Sequence, residues 1–364
     1  MGEAGDLDAL LARFHHAEVP LDRLRALIAA TADPDLLHRI SEPVSVPDET
    51  EAVALPPAGD PEHARLDELG RAAIARGELA AVILAGGMAT RFGASVKALA
   101  PVLDGNPLRF IDLKLADLAR LGPIDTTLMT SFATDDALRE QLAGAPVHFA
   151  SQFVSLRLNP DGSLFREADG TLSPHAPGHG DLPAALRLSG TLDRLRTAGV
   201  RTVLVSNVDN VGATLEPALA ALHRELGGAI TVELVAKRPG DHGGIPVRRA
   251  DGSLALAEAF RLPPEFPADD FPLFNTNTLW VDLTALDGQH EWTWSAAKKE
   301  VDGREAIQFE RLVGELTWWN ETRYVKVPRD GPESRFVPIK DRDDLAAAQE
   351  QIRAIWRKRL AGPA

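Results

Sequence analysis

The chain has 364 residues, with 39 Lys and Arg against 53 Asp and Glu, a formal net charge of −14, and no cysteine. These values exclude a disulfide framework, a thiolate metal site and a cysteine nucleophile, and the negative surface repels polyanions, so nucleic acid is not an expected partner. The start, MGEAGDLDAL, has no basic segment followed by an apolar one, and no apolar run approaches the roughly 20 residues needed to cross a bilayer, so a cytoplasmic protein without membrane contact is expected.

Residues 1–62 read as a helical appendage and linker. Leucines at helical spacing, interrupted by Pro20 and Pro34, predict two or three short helices. Ser41 to Glu62 is rich in proline and acid without periodicity, the pattern of a linker or surface arm. Over residues 63–320 short apolar runs alternate with amphipathic ones. Helix HARLDELGRAAIARG leads into strand LAAVILA, helix FIDLKLADLARL into TTLMTS, and helix LPAALRLSGTLDRLRTAG into RTVLVSN. This alternation predicts an α/β fold with an open, mostly parallel sheet covered by helices on both faces. Three D-G turns, in NPDGSLF, EADGTLS and RADGSLAL, predict a β-rich subdomain beside the pocket. In residues 321–364, RYVKV and SRFVPIK read as strands and DDLAAAQEQIRAIWRKRL as a closing helix, the part expected to complete the site.

Ligands of such sheets bind at the carboxyl ends of the strands, where LAGGMATRFG and NVDNVGAT both fall. The glycines Gly86, Gly87 and Gly93 satisfy neither G-x-G-x-x-G nor a Walker loop. Glycine permits positive φ and close backbone approach, which would aim N–H groups at phosphate oxygens. Arg91 and Lys97 would add charge-assisted hydrogen bonds. Taken alone, the same loop also reads as a tight turn with solvated Arg and Lys.

GGMATRFG…VKALAPV resembles the nucleotide-binding loop of the sugar nucleotidyltransferases, particularly the UDP-glucose pyrophosphorylase family. APGHGDLPAALRLSGTLDRL, SNVDNVGATLEP, FNTNTLWVDL and SRFVPIKDRDDL resemble further segments of that family, in the family's order. The resemblance implies a Rossmann-like, glycosyltransferase-A type fold with a mixed, mostly parallel sheet and a β-rich sugar-side subdomain, and the reaction NTP plus sugar 1-phosphate giving NDP-sugar plus pyrophosphate, with UTP and glucose 1-phosphate as the default. It also implies Mg²⁺ as cofactor, held by Asp209, and only small-molecule substrates. By the same resemblance Lys97, Lys340 and Arg91 would act on the phosphates. Leu84, Gly86, Gly87, Thr90, Gln152, Gly178 and His179 would bind the nucleotide, and Asn207, Gly244, Glu258, Asn275 and Asn277 the sugar.

Each residue has a plainer alternative. The two lysines could be solvated, Asp209 could cap the next helix, and His179 could brace its turn. His15, His16, His148 and His242 read as structural or surface residues, and Trp292, Trp294, Trp318 and Trp319 as packing. Departures from the family pattern include Ala89 for glycine, Val96 for proline, Val208 for serine and Thr278 for asparagine. The chain ends one helix after RFVPIK, before any C-terminal β-helix of the kind the family carries, so a monomer or a dimer using another surface is expected. Two other readings stay open: a paralogue using another base or acceptor, for example GTP with a cyclitol phosphate such as valienol 1-phosphate, and a nucleotide-sugar-binding regulator.

Overall fold

A computed structural model of the chain describes residues 4–17, 38–87, 96–241 and 243–360. Its centre is an eight-stranded sheet. Across it run Ala52–Ala54, Thr322–Lys326, Ile230–Ala236, Leu273–Asp282, Thr202–Asn207, Leu79–Leu84, Asp125–Thr130 and His148–Ser151. Only Leu273–Asp282 runs against its neighbours; every other pairing is parallel. All six residues of Leu79–Leu84 are buried, as expected for a central strand with helices over both faces. The fold is thus the mostly parallel α/β sheet expected from the alternation, with one strand reversed.

The antiparallel strand matters for the site. Its beginning lies where its neighbours end, with Val205 opposite Leu279 and Asn207 opposite Leu84. One edge of the sheet therefore gathers the residues after Leu84, Thr130, Ser151 and Asn207 together with Asn275 and Asn277.

Several elements differ from the pattern reading. LPAALRLSGTLDRLRTAG forms two helices, Leu182–Leu188 and Thr191–Thr197, because Gly190 takes φ 72° between them. The segment SRFVPIK, which reads as a strand, joins no sheet among the described residues; its one bridge among them is Asn210 with Pro338. Its backbone groups are spent instead on the loop after Asn207: the Val211 N–H donates to the Val337 carbonyl at 3.0 Å and the Ile339 N–H to the Asp209 carbonyl at 3.0 Å. Strand Ala52–Ala54, inside the stretch read as a linker, pairs with Tyr324–Lys326 at the sheet edge.

The three D-G turns are built alike. Asp161, Asp169 and Asp251 each accept the N–H two residues on at 2.9 Å. The following Gly162, Gly170 and Gly252 take φ of 82°, 89° and 84°, which suits glycine and few other residues. The first two turns fold residues 155–175 into a small sheet, to which hairpin Ser295–Glu310 adds through Leu158 and Ile307. A second, separate core of Leu158, Ile307 and Phe309 holds this side together. The third turn joins Ile245–Arg249 to Leu254–Ala257.

Candidate active site

Two cavities open along the gathered edge of the sheet. One, of about 420 Å³, is lined by Leu84, Gly86, Gly87, Lys97, Gln152 and Gly178 among others. The second, of about 490 Å³, is lined by Gly244, Glu258, Asn275, Asn277 and Lys340 among others. His179, Asn207 and Asp209 belong to both. Apart from His179 and Asn207, which border both, the described residues expected on the nucleotide side and on the sugar side line separate cavities that meet at Asp209. Thr90 and Arg91, with Ala89, Gly93 and His242, lie outside the described residues.

Gly86 serves close approach and not positive φ. A Cβ placed there would stand 2.1 Å from Gln152 Nε2, so only glycine lets this amide lie against the loop. Gln152 is 7% exposed, and its Oε1 accepts the Gly178 N–H at 3.1 Å. Gly178 has φ 98° and rests on the Arg311 backbone, 2.9 Å from where its Cβ would be. We expect Gly86→Ala to push the Gln152 amide aside and raise the nucleotide KM roughly tenfold, the loss of about one hydrogen bond. Steady-state kinetics check this, and Gly86→Ala/Gln152→Ala should be no worse than Gln152→Ala alone.

Lys97 and Asp209 form an ion pair at 2.6 Å, with side chains 12% and 26% exposed. Neither plainer reading holds: Lys97 is not a solvated surface lysine, and the next helix starts at Pro217 with Glu216 at its cap position. Three devices hold the Asp209 loop. The Lys114 ammonium, on helix Phe110–Leu121, donates to the Asn210 carbonyl at 2.8 Å and to that of Ala213. The Asn210 amide docks the C-terminal segment, accepting from Val337 N–H at 2.9 Å and donating to the Arg335 carbonyl at 3.2 Å. Gly212 lets the backbone of Arg335 approach within 2.7 Å of its missing Cβ. The exposed Lys340 follows directly on Ile339, whose N–H holds the Asp209 carbonyl. Lys97 thus pairs with Asp209 in the first cavity, and Lys340 shares the lining of the second with Asp209.

On the other side, Asn277 has φ 55° within its strand, next to a slip in register between Val232 and Leu234. Such irregularities re-aim side chains at functional edges. Here the Asn275 Oδ1 accepts the Asn277 N–H at 2.8 Å, and the Asn277 amide donates to Asn207 Oδ1 at 3.1 Å. Glu258 lies 3.0 Å from where a Gly244 Cβ would be, and burial pushes its carboxyl above the usual range. The His179 Nδ1 accepts the Val313 N–H at 2.9 Å. Burial holds this ring near a pKa of about 4, so it is neutral at pH 7 with its proton on Nε2. It braces the turn and faces both cavities at once.

Several supporting groups were not visible as motifs. Arg335 pairs with Glu233 beneath the Asp209 loop, both side chains almost wholly buried. Arg329 pairs with Asp241 in the wall of the sugar-side cavity. Their partners are distant in sequence, and a lone arginine carries no signal of its own. Val96, in place of the family's proline, has φ −124°, outside the range a proline ring permits. Val208 is buried in the wall. None of Trp292, Trp294, Trp318 and Trp319 lines either cavity. Trp319 stacks on His290 at 4.3 Å and Arg249 lies over Trp318, so they pack.

The family model for UTP–glucose-1-phosphate uridylyltransferase matches residues 53–360. A UTP–glucose-1-phosphate uridylyltransferase of Pyrus pyrifolia is 29% identical over 302 residues, covering 76% of this chain and 62% of that one. That of Saccharomyces cerevisiae is 30% identical over 304 residues, covering 76% and 60%. The chain thus spans about three fifths of the length of these relatives. Among solved structures, a uridine diphosphate N-acetylglucosamine pyrophosphorylase of Trypanosoma brucei superposes with TM-score 0.76 at 19% identity, over 96% of this chain and 80% of that one. A UDP-glucose pyrophosphorylase of Leishmania major gives 0.70 at 23%, over 94% and 77%. These two establish the fold.

Proposed function

Given that the chain belongs to the UTP–glucose-1-phosphate uridylyltransferase family, we propose that it transfers a nucleotidyl group from a nucleoside triphosphate to a sugar 1-phosphate, with UTP and glucose 1-phosphate as substrates and UDP-glucose and pyrophosphate as products. The observation that carries this reading is the meeting of two cavities at Asp209, with one lysine from each side.

In this reading the triphosphate lies in the cavity of Gly86, Gln152 and Gly178, and the sugar phosphate in that of Gly244, Glu258 and Asn275. A phosphate oxygen of the sugar phosphate attacks the α-phosphorus in line, and the bond to pyrophosphate breaks on the opposite side. No covalent chemistry is asked of the protein, so its contribution is alignment and neutralisation of charge. Lys97 leaves Asp209 to contact the phosphates, and Lys340 contacts them from the sugar side. The neutral His179 donates from Nε2 at the junction.

The donor set fits Mg²⁺. Asp209 supplies one carboxylate, and no group of three or more His, Cys, Asp or Glu is arranged to hold a metal among the described residues. A hard, largely hydrated cation held by one carboxylate and substrate phosphates suits this arrangement, and when bound it offsets phosphate charge. Asp209→Asn should raise the Mg²⁺ concentration for half-maximal rate at least roughly tenfold, about the worth of one charged contact. An unchanged Mg²⁺ titration would remove Asp209 from this role. Among the described residues no helix is long and apolar enough to cross a membrane.

The test of the whole reading is pyrophosphate release by the purified protein with Mg²⁺, over a grid of UTP, GTP, ATP, CTP and dTTP against several sugar 1-phosphates. Turnover with UTP and glucose 1-phosphate supports it. Nucleotide binding without release in any combination overturns it.

A further inference from the structure

Arg157 and His175 line the nucleotide cavity and not the sugar-side one, and the reaction described above uses neither. Both belong to the small sheet formed by residues 155–175. Ser155 pairs with His175 and Leu156 with Pro174, and the Arg157 N–H donates to the Ser173 carbonyl at 2.9 Å. Alternation along the strands then puts Arg157 and His175 on one face as diagonal neighbours.

Each brings an unused polar atom. Arg157 donates through Nη1 to Ser173 Oγ and to the Pro174 carbonyl, both at 2.8 Å. Its Nε is buried without a partner, and no carboxylate is ion-paired with it among the described residues. Burial pulls this guanidinium below its ordinary pKa, with the Glu167 charge opposing. His175 is 2% exposed. Its Nδ1 lies 3.2 Å from the Ala176 carbonyl, which only accepts, so Nδ1 carries the proton and Nε2 is left as an acceptor. That Nε2 is also buried without a partner among the described residues. Burial holds the ring near a pKa of about 4, so it is neutral at pH 7. Unsatisfied buried polar atoms are costly and call for a partner; a cavity wall is where a ligand supplies one.

With the phosphates at Lys97 and Asp209, the base is left to face Gln152 and this wall. We propose that Arg157 and His175 read the nucleobase as a lactam edge, Arg157 donating to a base carbonyl and His175 Nε2 accepting the adjacent ring N–H. The inference rests on the nucleotidyltransferase reading. Uracil and guanine carry such an edge. Cytosine and adenine present an amino donor beside a bare ring nitrogen. With the glycosidic bond fixing the ring's orientation, their N–H would face the Arg157 N–H and their lone pair that of His175.

Calorimetric titration of the full chain with UTP, GTP, CTP and ATP, Mg²⁺ present and no sugar phosphate, tests this. One lactam nucleotide should bind at least about tenfold tighter than CTP and ATP, up to about a hundredfold for two read positions; which of UTP and GTP it is identifies the base. N3-methyl-UTP or N1-methyl-GTP, lacking the ring N–H, should bind the unaltered protein about tenfold more weakly than its parent. His175→Ala should shrink that methylation penalty, and Arg157→Met should bring the preferred nucleotide and CTP to within a few-fold of one another. The methylated nucleotides test the reading of the ring N–H without a variant, and should His175→Ala or Arg157→Met fail to fold, His175→Phe and Arg157→Gln, measured in the same way, assign it to these residues or remove them from it. Equal binding of UTP, GTP, CTP and ATP, or methylation without effect, overturns the base reading while pyrophosphate release leaves the reaction standing. Absence of binding by any triphosphate overturns both.

Discussion

Lys97→Ala should lower kcat/KM for pyrophosphate release by about a hundred- to a thousandfold, the usual consequence of removing one preorganised donor to developing charge. The ammonium holds Asp209 at 2.6 Å, and in the proposed reaction it moves to the triphosphate. Removing it takes away a phosphate contact and leaves the carboxylate unshielded where the phosphates must come. Because the pair is partly exposed, the fold should survive, with a melting temperature within a few degrees of the unaltered protein. Kinetics and a thermal melt on the same sample separate the two effects. Activity near that of the unaltered protein would remove Lys97 from the mechanism.

Arg335→Met should cost far more stability. The Arg335 guanidinium meets both Glu233 oxygens, at 2.6 and 2.7 Å, and the Thr214 carbonyl at 2.8 Å. Trp280 donates to the same carboxylate at 2.9 Å. Methionine would leave the carboxylate of Glu233 buried without its cation, a change worth about 3–5 kcal/mol, which corresponds to a fall in melting temperature of roughly 4–7 °C in a chain of this size. Activity should fall as well, because the segment that this pair anchors continues to Lys340. Glu233→Gln/Arg335→Met, which removes both charges, should lose less than the two single changes added together. Melting followed by circular dichroism measures all of these, and a shift of only a degree or two for Arg335→Met would mean that the pair is not an anchor.

The two lysines differ in how much of their role was legible. Lys97 follows a glycine-rich loop after a buried strand, a local pattern with a physical reading of its own. Lys340 gained its candidacy only from the resemblance of SRFVPIK, and that segment pairs with a loop and with no sheet among the described residues. A run of apolar residues with period two shows that a segment is half-buried, but not whether its backbone will pair with a sheet or with a loop. Gln152 and Gly86 illustrate the same limit. Each was singled out separately, yet the reason glycine is required, an amide lying 2.1 Å from its absent Cβ, belongs to both residues together.

Local chemistry was enough to place the buried strands, the helices that cover them, the D-G turns and the exclusion of thiol chemistry, because hydrophobic period and turn geometry act over a few neighbouring residues. The single reversed strand that carries Asn275 and Asn277 to the strand ends, the ion pair between Lys97 and Asp209, the buried Arg335 and Glu233, and the facing of Arg157 and His175 join residues far apart in the chain. Burial and pairing between such residues depend on which distant surfaces exclude water together, and that is decided only when the sheet has assembled.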